Sequence, residues 1–164
     1  MQTYSAWIPN QREPKGEPDG EDAAYLDEMR ARGGAIVVGR NMYEAAGHWG
    51  DKNPFGVPFF IVTHRPEEEP EGGEFTFVSG VREALERAAG AAGDKDVNVM
   101  GGADVIHQAL EAGLVDELSI IVAPVVLGGG KRLFEGFTDS LELEHLGMRQ
   151  SQYATFIDYR VRRA

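Results

Sequence analysis

The sequence predicts a three-layer α/β sandwich with a mostly parallel central sheet and an antiparallel C-terminal hairpin. Continuous apolar runs, such as 35–38 and 59–62, are typical of strands that are buried on both faces. Helical segments alternate with these strands through the middle of the chain, as they do in α/β proteins. Residues 141–148 and 152–162 alternate apolar and polar side chains, which indicates paired antiparallel strands.

The remaining elements follow from capping and turn signals. A short strand at 3–8 precedes a loop rich in proline and glycine at 9–21. Asp22 then stands as the N-cap of a helix at 23–32, which Gly33-Gly34 ends. Further strands are predicted at 35–38, 57–63, 75–78, 96–100 and 117–123. Further helices are predicted at 41–47, 81–92 and 103–112.

Length, composition and net charge exclude several classes of function. The 164 residues are expected to form a single domain over 1–164, and with no cysteine the chain has no disulfide or thiolate site. A net charge of −11 argues against nucleic acid as a partner. Since neither a membrane-spanning run nor a signal peptide is visible, we expect a cytoplasmic protein that does not bind membranes.

Three junctions at strand ends carry unusual chemistry. They are Gly39-Arg40-Asn41, Thr63-His64-Arg65 and Gly101-Gly102, the last of which follows an apolar strand and leads directly into a helix. Taken singly, each has a plain interpretation as turn glycines, surface arginines or a loop histidine. Because ligands of such sheets bind outside the carboxyl ends of the strands, the three together predict a groove for an elongated, phosphorylated ligand.

Other motifs are excluded. Gly128-Gly129-Gly130-Lys131-Arg132 lacks the Lys-Ser/Thr ending of a P-loop, and no Gly-x-Gly-x-x-Gly follows a first strand. The four histidines show no metal-ligand spacing, so no metal site is predicted.

Three segments resemble the dihydrofolate reductase-like superfamily, in particular the branch related to the C-terminal reductase domain of the bifunctional riboflavin-synthesis enzyme. They are 35–43, 58–66 and 99–103, and the stretches 113–118 and 123–130 strengthen the match. The resemblance covers the chain from about residue 22 to its C-terminus. It implies a dihydrofolate reductase-like fold and an NADPH-dependent reductase.

The resemblance also implies where NADPH binds. The first group, beside the cofactor phosphates, is Gly39, Arg40, Asn41 and Met42. The second group flanks the adenosine 2′-phosphate and comprises Thr63, His64 and Arg65. The third group, from the pyrophosphate toward the nicotinamide, is Met100, Gly101, Gly102, Ala103, Asp104, Val105 and Ile106. The two arginines agree with a phosphorylated ribose, and hence with NADPH rather than NADH.

The substrate side is less constrained. Asp22 is the candidate acid for protonating the reduced product, and a plain N-cap is its alternative interpretation. Asp27 and Glu28 are further candidates and are equally compatible with exposed helix positions. Trp7 could stack on a flat substrate ring or anchor the core. Relatives begin with a longer apolar strand than 3–8. Either this strand is short, or the chain is shortened, or the site is remodelled, and each alternative affects substrate binding more than cofactor binding.

Two functions are compatible with these residues. The first is an NADPH-dependent reductase that transfers hydride to a small pterin-, pyrimidine- or carbonyl-type substrate. The alternative is a catalytically idle nucleotide- or drug-binding module of the same fold. A homodimer is expected, because the closing strands carry more apolar residues than the edge of a monomer's sheet would expose to water. These residues are Phe134, Phe137, Leu141, Leu143 and Leu146.

Overall fold

The computed structural model describes residues 20–162, and within them helices and strands alternate before an antiparallel C-terminal part. The helices are α1 (Gly20–Arg32), α2 (Arg40–Ala45), α3 (Val81–Ala92) and α4 (Ala103–Glu111). The strands are β1 (Gly33–Gly39), β2 (Phe59–Val62), β3 (Thr76–Val78), β4 (Asp96–Val99), β5 (Glu117–Val122), β6 (Glu142–Gln150) and β7 (Thr155–Arg162). Short 3₁₀ turns lie at Gly47–Asp51 and Pro66–Glu68.

Strands β1 to β4 form a parallel sheet in the order β3-β2-β1-β4. Val37 in β1 lies opposite Phe60 of β2 and Val99 of β4, and every residue of β1 is buried, as its apolar run predicts. The strand begins at Gly33, two residues earlier than predicted. A Cβ at Gly33 would lie 2.6 Å from the Asn98 side-chain nitrogen, so glycine lets β1 approach β4 closely.

The two faces of β1 contribute to two apolar clusters. Ala35 and Val37 pack with α3 and α4, whereas Ile36 and Val38 pack with Tyr43 of α2 and with aromatic side chains. Each fully buried aliphatic or aromatic side chain contributes roughly 1.5–3 kcal/mol to folding. The layered arrangement therefore follows from the two-residue period of a strand that is apolar on both faces.

The antiparallel part forms a separate sheet of three strands in the order β5-β7-β6. Ile157 of β7 lies opposite Ile120 of β5 and Met148 of β6. The mixed α/β fold is confirmed, but within residues 20–162 the hairpin pairs with β5 and has no pairing with the parallel sheet. Arg32 links the two sheets: its Nε lies 2.9 Å from Asp96 Oδ2 and its Nη2 lies 3.2 Å from Glu117 Oε2.

Two helix starts differ from the prediction. Helix α1 begins at Gly20, so Asp22 lies within its first turn and is not its N-cap. Carboxylates in a first turn interact favourably with the helix dipole, which lets Asp22 sit inside the helix. Helix α2 begins at Arg40 rather than Asn41. The predicted strand at 3–8, with Trp7, lies outside the described residues, as does the loop up to residue 19.

No helix between residues 20 and 162 is both long enough and apolar enough to span a membrane.

Candidate functional site

The three predicted junctions lie at one edge of the parallel sheet. Strands β2, β1 and β4 are neighbours and run in the same direction, so their carboxyl ends lie side by side. The Gly39 amide donates a hydrogen bond to the Gly101 carbonyl oxygen at 3.1 Å. This edge is where open α/β sheets bind ligands.

Thr63 connects the two arginines of this edge. Its side chain is almost fully buried, at 4% exposure. Its Oγ1 accepts hydrogen bonds from Arg65 N at 3.1 Å and, over a longer 3.5 Å, from Arg40 Nη1. The Arg40 guanidinium also lies 5.7 Å from the centre of the Phe77 ring. Thr63 therefore contacts the Arg40 guanidinium and the Arg65 backbone, which brings residues of two of the three junctions together.

Two carboxylates already pair with these arginines. Glu44 Oε1 lies 2.7 Å from Arg40 Nε, and Glu68 Oε2 lies 2.6 Å from Arg40 Nη2. The hydrogen bond to Glu44 raises the pKa of Arg40, with Glu68 adding to the effect, and the bond from Arg40 lowers the pKa of Glu44. Both groups stay ionised at neutral pH, and the pairs show that this arginine cluster can hold an anion.

The other predicted residues around this cluster differ in role. Asn41 and His64 are exposed, and the described residues give neither of them an ion pair or side-chain hydrogen bond. Met42 packs on the apolar cluster of Ile36 and Tyr43. Gly39 is needed for packing, because a Cβ there would lie 2.9 Å from Val105 Cγ2.

The glycine pair and α4 form the other end of the edge. Gly101 has φ of 106°, a conformation that favours glycine, whereas a Cβ added to Gly102 would meet no atom within 4 Å. The Val105 and Ile106 amides donate to the Gly102 carbonyl oxygen at 3.1 and 3.3 Å, and both side chains are buried. The open surface here belongs to Gly102 and to the first residues of α4.

The residue after the three glycines at 128–130 contacts the start of α4. Lys131 Nζ lies 2.6 Å from Asp104 Oδ2 in the first turn of α4. The carboxylate would repel an anion, and the neighbouring ammonium offsets its charge. Met100, which precedes the pair, is buried at 2% exposure and belongs to the core.

A mostly apolar cavity of about 300 Å³ lies between α1, the loop before β2 and the sheet, and it reaches Met100, the residue before the glycine pair. Its lining residues are Leu26, Met29, Arg30, Gly33, Ile36, Pro54, Phe55, Val57, Asn98 and Met100. A small, mostly apolar cavity with a few polar groups is typical of a ligand site. Sequence reasoning missed the loop at 54–57, whose only signal was a proline and an aromatic residue before β2.

Asp22 lies one helical turn before Leu26 on α1 and is not among the residues that line the cavity. Its Oδ1 accepts a hydrogen bond from Ser151 Oγ at 2.8 Å, in the turn between β6 and β7. Its Oδ2 is buried and has no hydrogen-bond partner. Buried polar atoms without partners are uncommon and often belong to functional sites. Within residues 20–162, no cluster of metal-ligating side chains is present.

The fold and the site define a dihydrofolate reductase-like α/β protein with an arginine-rich strand edge beside an apolar cavity. The family model described as the RibD C-terminal domain matches residues 2–155, so this chain belongs to that reductase-type family.

Three relatives illustrate the similarity. A putative riboflavin biosynthesis protein from Shewanella sp. PV-4 has a TM-score of 0.77 at 22% identity, over 99% of this chain and 100% of that chain. A pyrimidine reductase-like protein from Corynebacterium diphtheriae has a TM-score of 0.61 at 19% identity, over 99% of this chain and 92% of that chain. The uncharacterized protein YwjB of Bacillus subtilis (strain 168) is 27% identical over 126 residues, 76% of this chain and 71% of that protein.

Proposed function

We propose that this protein is an NADPH-dependent reductase acting on a small pterin-, pyrimidine- or carbonyl-type substrate. The observation that carries the proposal is that the Arg40 and Arg65 guanidinium groups both bind the Glu68 carboxylate, on the same sheet edge as the open Gly102. The cavity beside this edge supports a second, uncharged ligand ring. Membership of the reductase-type family and a relative named as pyrimidine reductase-like support the same conclusion.

The residues present fit a dinucleotide with a 2′-phosphate. Arg40 and Arg65 already hold carboxylates and would bind that phosphate, while Gly102 and Ala103 would face the pyrophosphate. When bound, NADPH supplies the hydride for the reduction. The mostly apolar cavity would orient a flat substrate, and Asp22 is the acid that we propose protonates the reduced product.

The first prediction concerns cofactor choice. NADPH at a hundred times its Kd is expected to stabilise the protein by about 2.7 kcal/mol. For a chain of this length, that stabilisation raises Tm by several degrees. Thermal unfolding with NADPH, with NADH and without nucleotide measures the effect. A rise with NADPH alone supports the proposal, and no shift with either nucleotide contradicts it. Binding without turnover of any acceptor favours the idle module instead.

We also propose that the protein is a homodimer through its antiparallel sheet. Of the five apolar residues predicted for this surface, Phe137 instead packs against the His107 ring, with centroids 4.1 Å apart. The other predicted residues are 37–51% exposed. Further exposed apolar residues in the same region are Val122, Val125, Val126, Leu127 and Met148. Leu143, Leu146 and Met148 all lie on β6, and exposed apolar side chains on one strand support a surface that another protein covers.

The second prediction tests this dimer. Met148 on the edge strand β6 is 62% exposed, and Met148→Glu is expected to convert the dimer to a monomer, because a charge is costly to bury in an apolar contact. Light scattering at tens of micromolar protein measures the mass. Ala91→Glu, on the exposed side of α3, is the control and should leave the dimer intact. A monomeric wild-type protein at this concentration would exclude the dimer.

A further inference from the structure

Glu68 occupies the space between the two arginines of the candidate cofactor site. Its Oε2 lies 2.6 Å from Arg40 Nη2, and its Oε1 lies 3.0 Å from Arg65 Nη1. Each carboxylate oxygen thus pairs with a different guanidinium group. Glu44, in contrast, pairs with Arg40 at Nε, on a different edge of the guanidinium, and within residues 20–162 it forms no ion pair with Arg65.

A bridging carboxylate and a phosphate make the same kind of contact with guanidinium groups, since both present two oxygens to N–H donors. We propose that Glu68 is a specificity-determining residue that competes with the 2′-phosphate of NADPH for Arg40 and Arg65. This inference rests on the proposed function. It adds that the preference for NADPH over NADH is limited by a carboxylate of the protein itself.

The local structure allows the Glu68 side chain to leave while its backbone stays in place. Glu68 ends the 3₁₀ turn Pro66–Glu68, and its amide donates to the Arg65 carbonyl oxygen at 3.2 Å. Glu69 holds the following backbone, because its Oε2 accepts a hydrogen bond from the Phe77 amide at 2.5 Å. The Glu68 side chain itself is 39% exposed and can turn toward solvent.

The two cofactors differ in what they require of Glu68. A 2′-phosphate needs both arginines, so the carboxylate must give up its two ion pairs and remain beside a like charge. A 2′-hydroxyl, as in NADH, can donate a hydrogen bond to the carboxylate where it stands. Removing the charge of Glu68 should therefore strengthen the binding of NADPH and leave that of NADH nearly unchanged.

The experiment compares the wild-type chain with Glu68→Gln and Glu67→Gln by titration calorimetry. The ligands are NADPH, NADH, adenosine 2′,5′-bisphosphate and adenosine 5′-monophosphate. Glu67 is the matched control because it lies on the same 3₁₀ turn, is exposed, and has no ion pair within residues 20–162. Its variant changes the net charge equally without touching either arginine. Unfolding curves confirm that all three proteins fold.

For Glu68→Gln, we expect the Kd of NADPH and of the bisphosphate to fall about tenfold, or roughly 1.4 kcal/mol. The Kd of the two ligands without a 2′-phosphate should stay within about a factor of two. Every Kd of Glu67→Gln should do the same, because an exposed carboxylate that forms no ion pair with either arginine interacts only weakly with them through water. Binding of NADPH by the variant alone also supports the inference.

Three results would overturn the inference. If Glu68→Gln binds NADPH with unchanged or lower affinity, Glu68 positions the arginines and does not compete. If Glu67→Gln tightens NADPH binding equally, the effect is one of general charge. Both results leave the proposed function intact. If neither the wild-type protein nor Glu68→Gln binds any of the four ligands, the proposed function fails together with this inference.

Discussion

Replacing Gly102 with valine is expected to weaken NADPH binding by at least about a hundredfold, or roughly 2.8 kcal/mol, with little change in stability. A Cβ at this position meets no protein atom within 4 Å, so the fold has room for it. The added side chain would occupy the space where the backbone must approach the pyrophosphate at the start of α4. Titration calorimetry gives the affinity, and thermal unfolding gives the stability.

Gly39→Ala is a comparison variant for stability alone, because Gly39 is also among the residues predicted beside the cofactor phosphates. Its Cβ would lie 2.9 Å from Val105 Cγ2, so the substitution is expected to lower the free energy of unfolding by about 1–3 kcal/mol through overpacking. The two variants thus show what a Cβ costs the fold where space is open and where it is not. Unchanged NADPH affinity in a folded Gly102→Val protein would show that the pyrophosphate does not lie at this helix start.

Asp22→Asn is expected to lower kcat by about 10²–10⁴-fold, the usual contribution of a positioned acid or base. The variant keeps an oxygen for the Ser151 hydrogen bond, and its amide nitrogen takes the place of Oδ2, which is buried without a partner. Because the amide nitrogen also has no partner there, we expect stability to change little beyond the roughly 0.3–1 kcal/mol of helix-dipole interaction that is lost. Thermal unfolding and NADPH oxidation with an accepted substrate measure the two effects.

Asp27→Asn is the control, since Asp27 lies on the same helix, is exposed, and pairs only with Arg30 at 3.6 Å within the described part of the chain. It should change neither stability nor kcat by more than a small amount. A drop in Tm for Asp22→Asn with kcat unchanged would instead make Asp22 a structural residue that anchors the turn at Ser151.

Local sequence patterns predicted most of the parallel half of the fold. The apolar run at 35–38 gave the right strand because a strand buried on both faces needs an apolar side chain at every position. The helix at 81–92 was predicted with its bounds correct. The start of α1 was wrong, because carboxylates suit both an N-cap and a first turn, and only the observed backbone separates the two.

The sequence predicted which charged residues lie at the candidate site, but it did not predict which side chains they contact. Arginine and glycine after successive strands pointed to one sheet edge, and the structure brings Arg40, Thr63 and Arg65 together there. The cavity wall at 54–57 and the carboxylate of Glu68 had no local signal. Glu68 lies in an acidic stretch that reads as a solvated loop, and its role depends on a turn that directs it toward both arginines.

The α/β class, the alternation of strands and helices, and the family were predictable without a structure, because they depend on periodicity and on residues close together in the chain. Three-dimensional packing was needed to show that Gly39 is a packing glycine while Gly102 is open, and that Asp22 is bonded to Ser151 with one oxygen left buried. It also decided that the closing strands form a second sheet. These features depend on distances between residues far apart in the chain, and no local pattern records such distances.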